Sequence, residues 1–250
     1  MSSIATSSIV FACVFGGALL GMSLRKFLPQ SHLSDESKTV VRLAMGLVAT
    51  MTAMVLGLLV SSAKTSFDTQ SNEITGTSSK FILLDRTLED YGPETKETRD
   101  LLRSVVAGLL DQMEQKEHDV TRVVVPVQEV ESVYEKIQGL SPKDDRHRSF
   151  QADALNVLKE IRQTRWLVYE QRSAAVSMPM LIILVSWLIA LFVSFGLYAP
   201  RNGTVVTSLL VSALSASCAI LLILELYSPY RGLIKISSAP VRVAFTQLGN

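Results

Sequence analysis

The sequence predicts an all-α polytopic membrane protein with four transmembrane helices and a helical extramembrane insert between helices two and three. Three observations predict this fold class. Four runs of about 20 residues are apolar enough to cross a bilayer, most charges lie in a long polar stretch between the second and third runs, and that stretch carries apolar residues at helical spacing. The net charge of +1 argues against a nucleic-acid partner and, with the positive mean hydropathy, favours a lipid bilayer.

The apolar runs cover residues 4–24, 42–62, 176–198 and 205–227. A hydrocarbon core about 30 Å thick needs roughly 20 helical residues to cross it, so each run fits one spanning helix. Inside these limits the charged residues are Arg42 at one boundary and Glu225 near another. We therefore predict helices one and two within 1–62, helices three and four within 176–227, and a C-terminal tail at 228–250.

The polar stretch at 63–175 is too long for a simple connection and predicts a helical soluble insert. One amphipathic helix is indicated by apolar residues that recur on one face: Leu101, Leu102, Val105, Val106, Leu109, Leu110 and Met113. A second helix is predicted to begin with Ser141 as its N-cap and Pro142 in its first turn. The stretch 122–130 has local strand character, which Pro126 weakens because proline cannot donate to a sheet.

Enzyme chemistry has no support in the sequence. There is no Gly-rich phosphate loop, no Cys-x-x-Cys pair, no His-Glu-x-x-His pattern and no nucleophile elbow. We therefore predict a protein that is not an enzyme and that needs no cofactor or metal.

Two further features of the spans are a possible packing motif and a possible ionisable site. Gly17 and Gly21 form a Gly-x-x-x-Gly step that lets another helix approach closely, although glycines are common enough in membrane helices to fall at this spacing by chance. Glu225 either lines a water path or marks the membrane interface, and the nearby Tyr227 and Tyr230 favour the interface. A proton-coupled transporter using Glu225 is an alternative, but the spans offer few other ionisable groups.

The second span carries a candidate pore surface, which we call the stripe. Its members recur every four residues and form one slowly drifting line on a helix with 3.6 residues per turn: Arg42, Gly46, Thr50, Met54, Leu58 and Ser62. A cation at one end can select ion sign, and apolar residues in the middle can gate by dewetting. Packing against another helix is the competing interpretation, because small and hydroxylated residues are favoured at membrane helix interfaces.

Three stretches of the chain resemble the bestrophin-like membrane domain family, a largely bacterial and plant set. They are "LPQSHLSDESKTVVRLAMGLVATMTAMVLGLLVSSAKTSFDTQ" at 28–70, "LLDRTLEDYGPETKETRDLLR" at 83–103 and "ILELYSPYRGLIKISSAPVRVAFTQLG" at 223–249. The resemblance implies two spans, a helical insert, two further spans and a tail. It also implies that the insert and both termini are cytosolic in a bacterial inner or plasma membrane, whereas the charges of the flanking loops favour neither orientation.

A shorter likeness links the stripe to true bestrophins, which are pentameric anion channels. Their neck helix carries an apolar residue, three others, then Phe-Val-Leu-Gly-Phe. In this chain Val55, Leu56 and Gly57 match, whereas Met54 and Leu58 replace the aromatic residues and Thr50 replaces the first apolar one. Ser66 and Phe67 stand where the family has Arg-Trp, and no acidic calcium clasp can be recognised.

The resemblance favours a homo-oligomeric ion channel that passes small anions through a pore lined by the second span, and it suggests a pentamer. The smaller side chains in the neck imply a wider and wetter constriction than that of true bestrophins. A non-conducting scaffold or signalling protein, whose insert binds a partner, is the alternative function. The two hypotheses make different predictions. Only the channel hypothesis requires that substitutions in the stripe change the ion current while the protein is expressed at its normal level.

Overall fold

The computed structural model describes residues 2–27, 35–114, 127–171, 178–200, 202–230 and 232–249. Apart from the short 3-10 helix Pro93–Thr95, the regular elements in these ranges are α-helices: α1 (Ser3–Leu24), α2 (Asp35–Tyr91), α3 (Lys96–Glu114), α4 (Val127–Gln138), α5 (Asp145–Gln171), α6 (Met178–Tyr198), α7 (Gly203–Leu226) and α8 (Ala239–Gln247). Four of them, α1, α2, α6 and α7, are long and apolar enough to cross a membrane. The predicted all-α class with four spans is confirmed.

Parts of the predicted insert and of the third span lie outside the described residues. These are residues 115–126 and 172–175 of the insert, which include 122–126 of the stretch with strand character, and residues 176 and 177 at the start of the third span. From Val127 onward the stretch with strand character is helical.

The chain divides into two compact units. The first contains residues 1–66 and 175–227, and the second contains residues 67–174 and 228–250. Helix α2 is continuous across the division, so that its first part belongs to one unit and its remainder to the other.

In the first unit, α1 packs against α6 and α7. The Ser7 hydroxyl donates to the carbonyl oxygen of Ser217 at 2.8 Å, and both residues are buried. Arg25, directly after α1, donates from Nη1 to the carbonyl oxygen of Ala199 at 2.7 Å. A cation here also offsets the negative end of the α6 dipole. The first hydrogen bond joins the beginning of α1 to α7, and the second joins the end of α1 to the end of α6.

The second unit is built around a core of buried apolar side chains from α2, α3, α4, α5 and α8. The tail, which the sequence analysis treats as a segment of its own, supplies Val241, Ala244 and Leu248 to this core. Between α2 and α3 the chain turns at Gly92, whose φ of 131° lies in a region that side chains avoid. Pro93 follows, and because it lacks a backbone N–H it cannot continue α2.

A buried ion pair joins α2 to α3 in this unit. Asp85, only 2% exposed, accepts two hydrogen bonds from Arg99, from Nε at 2.8 Å and from Nη2 at 2.9 Å. The backbone N–H of Gly249 also donates to Asp85, at 3.3 Å. The Asp85 carboxylate raises the pKa of Arg99, mainly through these hydrogen bonds. Removing Arg99 would leave the buried Asp85 carboxylate without its cation, which costs far more than the loss of a surface pair.

The predicted N-cap Ser141 is wrong, because α5 begins at Asp145, three residues after the predicted first helical residue, Pro142. The capping residue is Asp144, whose Oδ1 accepts from the backbone N–H of His147 at 2.8 Å. The preceding connection is held by Gln151, whose side-chain amide donates to the carbonyl oxygens of Ile137 at 2.9 Å and Leu140 at 3.0 Å. Residues 141–143 are therefore used in the connection and not in the helix.

We expect Asp144→Ala to expose the first turn of α5, whereas Asp144→Asn should preserve it because asparagine is an equally good N-cap. Amide hydrogen exchange of residues 145–150 should be roughly threefold to tenfold faster in the alanine variant and near wild type in the asparagine variant. The hydrogen bond from the His147 N–H lowers the pKa of Asp144. The cap of the wild type should therefore persist above about pH 4 and weaken as the pH falls further, whereas that of Asp144→Asn should not. Equal protection in both variants would contradict this assignment.

Candidate pore surface on helix α2

The membrane part of α2 is the least buried of the four spans. In α1, α6 and α7, 33% of the most apolar stretch of each helix is buried within the structure, whereas in α2 the buried share of that stretch is 11%. A helix with so little of its surface covered by its own chain must face lipid, further protein or a water-filled path in the membrane. The protomer therefore leaves most of α2 available.

All six residues of the stripe are exposed in the protomer: Arg42, Gly46, Thr50, Met54, Leu58 and Ser62. The buried residues in this part of α2 are Thr52, Leu59 and Ala63, which share one helix face. At about 100° per residue, Thr50 and Met54 point roughly 160° away from the centre of that face. The middle of the stripe is thus on the side of α2 opposite its own protomer.

The two ends of the stripe point in other directions, because each four-residue step rotates by about 40° around a helix with 3.6 residues per turn. Arg42 and Ser62 therefore lie on opposite flanks of the exposed surface. Ser62 lies close enough to its own protomer for its Oγ to share a hydrogen bond with the Tyr227 hydroxyl, 3.1 Å away. The stripe is consequently one surface with a central part, Thr50 to Leu58, and two flanks.

The central part is apolar and supplemented by neighbouring apolar side chains. Met54 is 70% exposed and Leu58 55% exposed, and Leu43, Leu47 and Met51 are exposed on the same side of the helix. The Thr50 hydroxyl donates to the carbonyl oxygens of Gly46 and Leu47, at 3.1 and 2.8 Å, so its donor is satisfied within α2. Several copies of this surface around an axis would make a dry constriction with a threonine ring above it.

The cation at the start of the stripe differs from the other basic residue near it. Lys38 pairs with Asp35 at 2.9 Å, one turn before Arg42, and this local pair offsets the Lys38 charge. Arg42 is the stripe residue that carries a charge. A ring of these residues would raise the local concentration of anions.

Gly17 and Gly21 face α6 within the protomer. A Cβ on Gly17 would come within 3.3 Å of Cγ2 of Val193, and a Cβ on Gly21 would overlap the carbonyl oxygen of Val193. From the other side, a Cβ on Gly196 would overlap the carbonyl oxygen of Ala18. The two backbones are therefore in close contact, with a glycine on each helix. Gly196 could not be predicted from the sequence, because a single glycine in a span carries no spacing signal.

This geometry predicts graded losses of stability for three glycine-to-alanine substitutions in α1. Gly21→Ala should lower the stability of the protein by about 1–3 kcal/mol, because a methyl group against backbone forces the helices apart. Gly17→Ala should cost less, since its neighbour is a side chain that can move slightly. Gly16→Ala is the matched control, because nothing lies within 4 Å of its Cβ position. Thermal unfolding in detergent measures the series, and equal melting temperatures for all three would contradict the close contact.

Glu225 is buried in the first unit, with 4% of its surface exposed, one residue before α7 ends at Leu226. Tyr227 is the C-cap of α7, and its hydroxyl is the hydrogen-bond partner of Ser62. No sequence pattern signals that contact, since the two residues lie 165 positions apart. Among the described ranges, no group of three acidic, histidine or cysteine residues is arranged to hold a metal ion.

The fold defines a class, all-helical membrane proteins with four spans and a second compact helical unit. A family profile described as the bestrophin-like domain matches residues 12–241. The chain therefore belongs to the bestrophin-like family. A search of curated proteins finds no match.

Solved structures with a similar fold include crystal structures of mutant bacterial bestrophin homologues from Klebsiella pneumoniae. One has a TM-score of 0.70 at 14% identity and covers 99% of this chain and 97% of its own. A second has a TM-score of 0.67 at 14% identity, with 96% of each chain covered. At this identity the likeness shows the fold, which extends over nearly the whole chain.

Proposed function

We propose that the protein is a homo-oligomeric ion channel in which the α2 helices of several protomers surround a pore. The observation that carries the proposal is the exposed stripe, whose apolar centre faces away from its own protomer. An apolar surface that is exposed in the monomer and faces away from the rest of its own chain is suited to face a common axis. Closed rings are the usual outcome when identical chains associate through one repeated contact.

Small anions are the proposed permeant ions. Arg42 places positive charge at one end of the stripe, and the residues between it and Ser62 are uncharged. Such a pathway favours anions through the mouth and provides no carboxylate to bind cations. Family membership supports the same assignment, since true bestrophins are pentameric anion channels, and we propose five protomers on that ground.

The proposed orientation places the second unit and both termini in the cytosol of a bacterial inner or plasma membrane. An added cysteine in the exposed part of the second unit, such as Glu135→Cys, tests it in a background with Cys13 and Cys218 replaced by alanine. An impermeant thiol reagent applied to intact cells should leave this cysteine unlabelled until the cells are opened. Labelling of intact cells would reverse the orientation.

A non-conducting scaffold is the second candidate function, and the pocketed surface of the second unit is the observation that favours it. A cleft of about 350 Å³ lies at the start of α3, lined in part by Lys96, Arg99 and Arg103. A scaffold would use such a surface for a partner and would show no ion flux.

The experiment that tests the proposal is reconstitution together with native mass spectrometry in mild detergent. The channel predicts one closed oligomer, of five subunits, and a flux of chloride from liposomes that scales with the amount of protein. A monomer would remove the basis for the pore. A closed oligomer without flux of any ion would favour the scaffold.

A further inference from the structure

The hydrogen bond between Ser62 and Tyr227 lies beside the apolar centre of the stripe. Ser62 follows Leu58 by one turn and occupies the last position of the stripe. Its Oγ lies 3.1 Å from the hydroxyl oxygen of Tyr227, which belongs to a different helix of the same unit. The bond therefore joins the end of the stripe to the end of the fourth span.

Tyr227 is held more firmly than an ordinary surface tyrosine. It is the C-cap of α7, and its backbone N–H donates to the carbonyl oxygen of Ile223 at 3.1 Å. Ile223 is fully buried, and Leu226, beside Tyr227, is 6% exposed. The backbone of Tyr227 is thus held at the buried end of α7, and its hydroxyl is anchored from there.

The membrane part of α2 has a small buried face in the first unit. Its buried share is 11%, and the buried residues are Thr52, Leu59 and Ala63. The hydrogen bond of Ser62 lies at the flank of this face, one turn after Leu58. A directed bond at this position therefore contributes to the rotational position of Leu58.

We infer that Tyr227 is a positioning residue for the pore helix, which holds the Ser62 hydroxyl away from the axis and keeps the ring at Leu58 dry. The inference rests on the proposed function. With the bond made, the Ser62 hydroxyl is turned to the flank and occupied by Tyr227. Without it, the hydroxyl can hydrate the lumen beside Leu58, and a hydrated neck conducts better than a dewetted one.

The test compares ion flux from liposomes for Tyr227→Phe, Ser62→Ala and the double variant. Tyr227→Phe removes one oxygen and keeps the ring, so it should raise basal flux about twofold to tenfold, the range of equilibrium shifts that one net hydrogen bond spans. Ser62→Ala removes the bond together with the hydroxyl that wets the neck and should not raise flux. Tyr227→Phe added to Ser62→Ala should then have no further effect, because the partner is absent.

Two further variants separate positioning from a general loss of structure. Ser62→Thr keeps the hydroxyl and should keep the low basal flux of the wild type. Tyr198→Phe makes the same chemical change at the end of α6. Tyr198 has no hydrogen bond to the described part of α2, so this variant should leave flux unchanged. Native mass spectrometry must find the same oligomer in every preparation.

The outcomes distinguish this inference from the proposed function. A conducting wild type with an unchanged Tyr227→Phe variant overturns the inference and leaves the channel standing. The inference is also overturned if Tyr227→Phe raises flux equally in the wild type and in the Ser62→Ala variant, because the effect would then not pass through Ser62. A silent wild type in an intact oligomer overturns the channel, and the inference falls with it.

Discussion

Replacing Met54 and Leu58 together by serine is expected to raise basal ion flux at least about tenfold. The two side chains are exposed in the protomer and lie one turn apart at the centre of the stripe. Keeping water away from each apolar side chain is worth about 1.5–3 kcal/mol, and a barrier lowered by about 1.4 kcal/mol speeds passage tenfold. Serine is both more polar and smaller than these side chains, so polarity as well as diameter should lower the barrier.

The serine variant should still insert and assemble. Serine costs far less in a membrane than a charge does, and its hydroxyl can bond to its own backbone. Met54→Leu/Leu58→Met is the matched control, since it exchanges the two apolar side chains and should leave flux near wild type. Chloride efflux from liposomes with equal protein content measures both variants. Unchanged flux in a correctly assembled serine variant would show that these residues do not form the barrier.

Arg42→Glu is expected to shift the reversal potential towards that of cations, with the anion-to-cation permeability ratio falling about tenfold or more. Reversing a ring of like charges at the mouth of a low-dielectric path changes the local concentration of permeant ions by such factors. The size of the shift should fall as ionic strength rises, because the Debye length is only about 10 Å at 0.1 M salt. Planar bilayers with a salt gradient give the measurement.

Two controls assign the effect to the position of Arg42. Arg42→Gln removes the charge without reversing it and should give an intermediate reversal potential. Lys38→Glu makes the same change in charge one turn earlier, where the wild-type lysine is paired with Asp35. An equal shift from Lys38→Glu would mean that general surface potential, and not the stripe, sets selectivity.

The sequence predicted the four spans because a run of about 20 apolar residues is sufficient to define one. It could not predict which face of α2 packs against its own protomer. In this span the polar Thr52 is buried whereas Leu43 is 72% exposed, the reverse of the pattern in a water-soluble helix. Hydrophobicity does not report burial when lipid is as apolar as the protein interior. The four-residue period of the stripe defines which residues form a line along α2, but it does not show whether that line faces the rest of the chain or faces away from it.

Other features were missed because they depend on contacts between distant residues. The tail contributes a helix of nine residues, too short for periodicity to place it in the core of the second unit. Ser141 and Asp144 are both good N-caps, and the choice between them is made by the bonds of Gln151 and His147. The close approach of Gly21 to Val193 likewise needs the partner helix to be in place.

The most direct test of a pore along α2 is chemical block at Leu58. In a background with Cys13 and Cys218 replaced by alanine, Leu58→Cys is treated with an impermeant anionic thiol reagent during chloride efflux. A thiol reacts as the thiolate, which requires water, so modification reports a wet path beside α2. Ile182→Cys on α6, where the native side chain is 65% exposed, is the control at an exposed position outside the stripe. We predict that the reagent stops flux through Leu58→Cys and leaves Ile182→Cys conducting, whereas continued flux with an unmodified cysteine at Leu58 would contradict a pore lined by this helix.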